Sequence, residues 1–305
     1  SLVAGSVSAA EMSVTGSATM SYSGGDENAT TGAGWTMGDS VTFSASGDVN
    51  DIGVTLSLEL DGDAADGTNQ LDSQSITFDL GDAGTLVFAG HGGSSAMSAV
   101  DDVTPSAYEE PWDIVTGADA GIINGHSGNN MFTYKYSHET GVNLTLAYIN
   151  ASDAVTDVSY SDYGLTYTGM DGLTLGYGEG DVESVTGTKS AESTMFAKYA
   201  MGGFTFGAQA VESDHDTASS SQESVAYGVT YAVNDDFSIG YSEHELQFDT
   251  GAGATANKDQ TSTGISASYT MGGMTVGAVA NKTDSFGGTS GTDREFTEVS
   301  LSFAF

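Results

Sequence analysis

The chain has no cysteine among its 305 residues, so neither a disulfide framework nor a thiolate metal centre is available, and thiols say nothing about its compartment. Its only two prolines, Pro105 and Pro111, stand close together, which leaves the rest of the chain free of the residue that cannot donate to a β-ladder. Cations are nearly as scarce. Six Lys and Arg face 42 Asp and Glu, a formal charge of -36, and no nucleic-acid partner is expected because binding phosphates needs cations. No apolar run is long enough for a spanning helix, which excludes a helical membrane protein. Enzyme motifs are missing too: there is no G-x-S-x-G elbow, G-x-G-x-x-G turn, P-loop or H-E-x-x-H, and His91, His126, His138, His215 and His244 are scattered. Ser, His and Asp could still be assembled from separate strands into a hydrolase site, because triads are defined by geometry.

What is present is regular. Thirteen Phe and 14 Tyr recur at intervals rather than in patches, which argues against disorder despite the acidity. Ser1-Leu-Val-Ala-Gly-Ser-Val-Ser-Ala-Ala10 reads as the tail of a secretory signal peptide, with Ser8/Ala10 or Val7/Ala9 as the small residues before cleavage; residues 11–305 then form a single domain. At the other end, Phe305, Phe303, Leu301 and Val299 alternate with Ala304, Ser302, Ser300 and Glu298, so one strand carries an apolar and a wet face. The same period-two pattern appears near 12–23, 35–46, 52–61, 71–80, 84–91, 130–138, 142–150 and 158–168. It returns near 173–182, 191–201, 203–213, 222–232, 237–247, 261–270, 274–283 and 293–305, giving sixteen candidate strands.

Short and long connections alternate between them. Tight turns are expected at Gly81–Gly84, His138–Gly141, Gly169–Gly172, Met201–Gly203, Val233–Asp236 and Met271–Gly273, with a looser one at Gly47–Asp51. A weak repeat accompanies them: after a strand-end aromatic and a turn come Leu173-Thr-Leu-Gly176, Phe204-Thr-Phe-Gly207, Phe237-Ser-Ile-Gly240 and Met274-Thr-Val-Gly277. Aromatics flanking every turn suit an interfacial girdle. A long apolar face would aggregate in water, and open edges in lipid would leave backbone groups unsatisfied; closure into a barrel resolves both. Sixteen strands leave room for a water-filled interior.

With this strand order, the terminal Val299-Ser-Leu-Ser-Phe-Ala-Phe305, the small residues Ser8-Ala-Ala10 before Glu11 and one long insertion after the fifth strand, the chain resembles the general bacterial porins, most of all the alphaproteobacterial type. The resemblance covers residues 11–305. It implies an all-β fold, a 16-stranded antiparallel transmembrane β-barrel, in the outer membrane of a Gram-negative bacterium. It also implies a passive diffusion channel for small hydrophilic solutes and ions, surrounded by outer-membrane lipid and assembled as a homotrimer through its first and last strands. The insertion, residues 92–129, holds both prolines and Trp112, which makes it a structured loop rather than another pair of central strands. The resemblance places it as an inward-folded constriction loop.

Its charges point to filtering. Asp101, Asp102, Glu109, Glu110, Asp113 and Asp119 lie in the loop without one Lys or Arg between 92 and 129, while Tyr108, Trp112, Ile122 and Ile123 are candidate anchors. Carboxylates in a narrow passage favour cations over anions, so a cation preference is expected. Strand phase adds Glu59, Asp79, His91, Lys135, Asp162, Lys198, Arg294 and Glu298 to the inner wall, a thin basic side compared with the Arg cluster of porin constrictions. No cofactor is required. Calcium is the ion that the acidic segments Asp61-Gly-Asp63-Ala-Ala-Asp66, Asp101/Asp102 and Glu109/Glu110 would ligate, although none has EF-hand spacing. Two other uses of such a barrel stay open. A substrate-selective channel calls for stacking aromatics along its path, of which only Tyr160 and Phe196 point inward, and an adhesin calls for long outer loops.

Overall fold

The computed structural model describes residues 11–25, 34–62, 71–112, 127–150, 158–184, 189–216, 221–248 and 258–305. Each of the seven expected tight turns joins two antiparallel strands. Asn50 and Asp51, at φ 53° and 64°, make the two-residue turn between β2 (Gly34–Val49) and β3 (Ile52–Asp61). Two positive φ angles give that turn the twist of the strands it connects, and Asn and Asp tolerate them better than most side chains. The other hairpins are β4 (Leu71–Asp79) with β5 (Thr85–His91), β8 (Met131–Ser137) with β9 (Val142–Ile149), and β10 (Val158–Met170) with β11 (Leu173–Ser184). They continue with β12 (Lys189–Met201) and β13 (Phe204–His215), β14 (Gln222–Ala232) and β15 (Phe237–Phe248), and β16 (Gln260–Met271) and β17 (Met274–Asp284).

These strands, with β1 (Glu11–Gly25) and β18 (Arg294–Ala304), form one closed barrel of sixteen in which every strand pairs with its sequence neighbours and β1 pairs with β18. Two further short strands, β6 (Gly93–Ser94) and β7 (Ser127–Gly128), pair only with each other at the base of the long insertion. Closure is staggered. Phe305 exchanges backbone hydrogen bonds with Gly16 at 2.7 and 3.0 Å, so the terminal residue meets β1 well inside its start at Glu11. Glu11 and its neighbours run past that end and pair with β2 alone, Glu11 opposite Ser46. A barrel must shear its register to tilt its strands, and this overhang is the visible result.

The pleat sorts the side chains. Ile265, 63% exposed, Met195, Tyr227, Phe206 and Val299 face outward, whereas their neighbours Ser266, Thr194, Ala226 and Ser300 are buried on the inside. An apolar outer face around a polar interior inverts the pattern of a soluble protein and fits a barrel in lipid. Buried apolar side chains gather where the insertion meets the wall: Met97 and Val100 against Phe196, Trp112 against Val211 and Ala226, and Ala96 among Met131, Ala147, Ile149 and Tyr160. The core of this protein therefore lies between loop and barrel.

One wall position is corrected by the register. Between the pairs Ser75–Ala89 and Gln74–His91 an extra residue, Gly90, enters β5 as a β-bulge. The slip flips the face of the residue after it, and His91 pairs with Gln74, which is itself opposite the outward Leu58. His91 is therefore on the outer face and not, as its sequence phase suggests, on the inner wall.

Candidate functional site

From Met97 to Tyr108 the insertion runs along the inner wall in the order of the strands beneath it, and it then turns back so that Trp112 reaches β15. The backbone N–H of Met97 donates to Oδ2 of Asp162 on β10 at 2.5 Å, and Tyr160 donates its hydroxyl to the same oxygen at 3.0 Å. On β13, Gln209 clamps the next stretch: its Oε1 accepts from the Val103 N–H at 3.3 Å, and its Nε2 donates to the Val100 carbonyl at 3.0 Å and to Oγ1 of Thr194 at 2.8 Å. Ser266 on β16 accepts from the Ala107 N–H at 2.9 Å and shares a 2.8 Å hydrogen bond with Ser106. Tyr108 then reaches β18, where its hydroxyl donates to Oε1 of Glu298 at 2.8 Å. Trp112 lies on the buried ring of His244, centroids 5.0 Å apart. Each net hydrogen bond contributes about 1 kcal/mol, more where a carboxylate accepts, so the set holds the segment from Met97 to Trp112 to half of the barrel.

Anchoring sets the direction of the acids. Asp102, in the left-handed conformation at φ 51°, and Glu109 are exposed, Asp101 is half-buried and Glu110 is buried. Asp113 and Asp119, with Ile122 and Ile123, lie outside the described residues. Partial loss of water raises the Asp102 carboxyl above its ordinary value of 3.8, and a hydrogen bond with Glu110 pulls it part of the way back. Glu109 is raised by the same desolvation and further by the charges of Glu298 and Asp102. Burial, more than the Glu298 charge, raises the Tyr108 hydroxyl. Asp102, Glu109, Glu110 and Glu298 thus form one chain of interacting acids between loop and wall, of which Asp102 and Glu109 are exposed.

The wall residues are spread over the barrel. Glu59 accepts from Ser73 at 3.3 Å, and Asp79 accepts from the Gly81 N–H at 2.9 Å, which ties it to a turn at the rim. Lys135 stands opposite Thr85 and Thr145 near the same rim, and Lys198 stands between Thr174 and Gly207. Arg294 is drawn away to a loop, its guanidinium carbon 3.4 Å from the ring centroid of Phe286. Lys189 pairs with Glu183 at 3.2 Å and Lys282 with Asp284 at 2.7 Å, all four side chains about half exposed or more. Lys258 is in a connection, with its N–H donating to the Gly288 carbonyl at 3.3 Å. No cation therefore hydrogen-bonds Asp102 or Glu109 among the described residues. Nor do any three acids or histidines among them converge to hold a metal ion; Asp63 and Asp66 lie outside that set.

Tyr160 and Phe196 are both buried, 1% and 7% exposed, so neither offers a stacking face to the lumen. Sequence reading passed over Gln209 and Ser266, which carry much of the anchoring. Gln209 had a signal in the sequence, as the one long polar side chain among the inward residues Gly207, Val211 and Ser213 of its strand. Ser266 had none, since inward serines are common in this chain.

The profile of the family described as Gram-negative porin matches residues 1–251. Among solved structures, an anion-selective porin from Comamonas acidovorans superposes with a TM-score of 0.75 at 15% identity, over 97% of this chain and all of that one. The trimer form of OmpT, an outer membrane protein of Vibrio cholerae, gives 0.72 at 13% identity, over 98% of this chain and 100% of that one. OmpF of Salmonella typhi in complex with daunomycin gives 0.71 at 12% identity, over 96% and 97% of the two chains. No curated protein matches the sequence significantly.

Proposed function

The chain belongs to the Gram-negative porin family, passive channels of the outer membrane, and from that premise we propose that this one passes small hydrophilic solutes by size and prefers cations to anions. The observation that carries the preference is the exposed pair Asp102 and Glu109 on a loop lying against the inner wall, coupled to Glu298 and hydrogen-bonded by no cation among the described residues. A carboxylate 5 Å from a permeating monovalent ion is worth roughly 0.8 kcal/mol at the dielectric of water and roughly 3 kcal/mol at an effective dielectric of 20. The sign is opposite for cation and anion, so one such group biases traffic several-fold. The Comamonas acidovorans porin of the same fold is named as anion-selective; the formal charge of -36 on this chain supports the opposite preference here.

Homotrimeric assembly is part of the proposal, supported by the trimer form of the Vibrio cholerae structure. So is membership of the alphaproteobacterial type, supported by the strand order, terminal strand and single long insertion of the sequence. Liposome swelling with uncharged sugars of graded size tests the reading. Rates that fall smoothly with solute size support a diffusion pore; rates that depend on chemical identity at equal size would replace it with a substrate-selective channel.

A further inference from the structure

The repeat that comes after four of the tight turns, apolar-Thr/Ser-apolar-Gly, ends each time in a glycine on the inner face: Gly176, Gly207, Gly240 and Gly277. Strand propensity does not account for them, because glycine inside a strand is unfavourable unless something approaches closely. The insertion is what approaches three of the four. A Cβ at Gly277 would strike the ring of Tyr108, one at Gly207 the ring of Pro105, and one at Gly240 would stand 2.9 Å from the backbone nitrogen of Ala107. Gly228, the cross-strand partner of Gly207, would strike the Pro105 carbonyl and Thr104. The berth extends to the start of the loop, where a Cβ at Gly178 would lie 2.6 Å from Val100 and one at Gly164 2.7 Å from the Ala96 carbonyl.

We propose that this track of inward glycines sets how far the loop stands from the wall, and that Gly207, Gly228 and Gly277 are thereby positioning residues for the free cross-section of the pore. The proposal rests on the porin reading above. At these three positions the closest atoms, all under 3 Å, belong to the loop, and the one strand atom among the nearest neighbours is a carbonyl at 3.5 Å from Gly207. A methyl group there presses on the loop and not on the sheet. Ordinary carbon contacts lie at about 3.5–4.0 Å, so each added Cβ moves the loop toward the lumen by roughly 1 Å. The repeat would then encode a loop berth in three of its four hairpins, because successive hairpins present the same inner position; at Gly176 the close neighbour is the Phe196 ring.

The test is single-channel conductance of Gly207→Ala, Gly228→Ala and Gly277→Ala in planar bilayers, with Gly53→Ala as control. Gly53 lies across the barrel on β3, where its Cβ would meet nothing closer than Asp79 at 3.3 Å. The three track variants should conduct less than wild type, and the control should not. Gly277→Ala is also measured in a Tyr108→Ala background, which removes the ring its methyl would strike. The fall should disappear there, an outcome that a general weakening of the barrel would not give. Wild-type conductance in all three track variants, or an equal fall from Gly277→Ala in both backgrounds, overturns the inference while leaving the porin reading intact. Failure of these variants to assemble also counts against it, since the methyl groups do not press on the sheet. Absence of any channel from the wild-type protein would instead remove the porin reading itself.

Discussion

Tyr108 on the inward loop donates its hydroxyl to Glu298 on the last strand across 2.8 Å, joining residues 190 positions apart. The pair fastens the described loop at the place where the barrel closes. It also brings an acid of the wall beside Glu109, whose charge is opposed by both Glu298 and Asp102. Loop position and pore charge meet in this one hydrogen bond.

Replacing the donor separates the two roles. Tyr108→Phe keeps the ring over Gly277 and removes only the hydroxyl, at a cost of about 1.5 kcal/mol to loop docking, the low end for a hydrogen bond to a charged group because water reaches the lumen. Hydrogen exchange at residues 104–112 should accelerate by roughly tenfold, since 1.4 kcal/mol is a factor of ten. Exchange in the barrel strands should not change.

Charge removal should follow exposure. Asp102→Asn with Glu109→Gln should lower the cation-to-anion permeability ratio several-fold, whereas Glu110→Gln, whose carboxylate is buried at 8% exposure, should change it less. Reversal potentials of the two variants give the comparison directly. Salt should erode the wild-type ratio as well, because exposed charges are screened beyond about 8–10 Å near physiological ionic strength.

Acid should act early. Asp102 and Glu109 have carboxyls raised above their ordinary values of 3.8 and 4.5, so they take up protons at a higher pH than free carboxylates would. A raised carboxylate is neutral below its shifted value and charged above it. Cation preference should therefore be full at neutral pH and should begin to fall, on acidification, before the ordinary carboxylate range is reached. A ratio that holds constant down to that range would show that other charges set it. The same shifts favour the docked loop at acid pH, because desolvation penalises only the charged form.

The barrel was largely legible in the sequence because a period of two is a local signal. Serine and threonine alternating with Leu, Tyr and Phe marked both faces, and Gly, Asn and Asp marked the turns, so strand order followed. What escaped was whatever depended on register. Gly90 reads as an ordinary strand residue, yet as a bulge it moves His91 to the outer face. The overlap of Phe305 with Gly16 reflects a shear that no single strand encodes. For the loop, composition disclosed the acids but not their directions. These depend on Asp162, Gln209, Ser266 and Glu298, which belong to four strands and come together only when the barrel closes.

The pleat supplies a paired prediction. Ile265→Lys puts a charge on the lipid face, which costs about 2–4 kcal/mol near the bilayer midplane, and should lower stability to denaturant in lipid vesicles accordingly. Thr55→Lys places the same charge on the inner face of β3, opposite Ser46 and Thr77. Its folding should be close to wild type while its cation preference drops.

Reversal potential in a potassium chloride gradient across a planar bilayer holding the purified wild-type protein tests the account most directly. A potential of the sign set by potassium, diminishing as salt rises, is the predicted result. A potential of the sign set by chloride would contradict it.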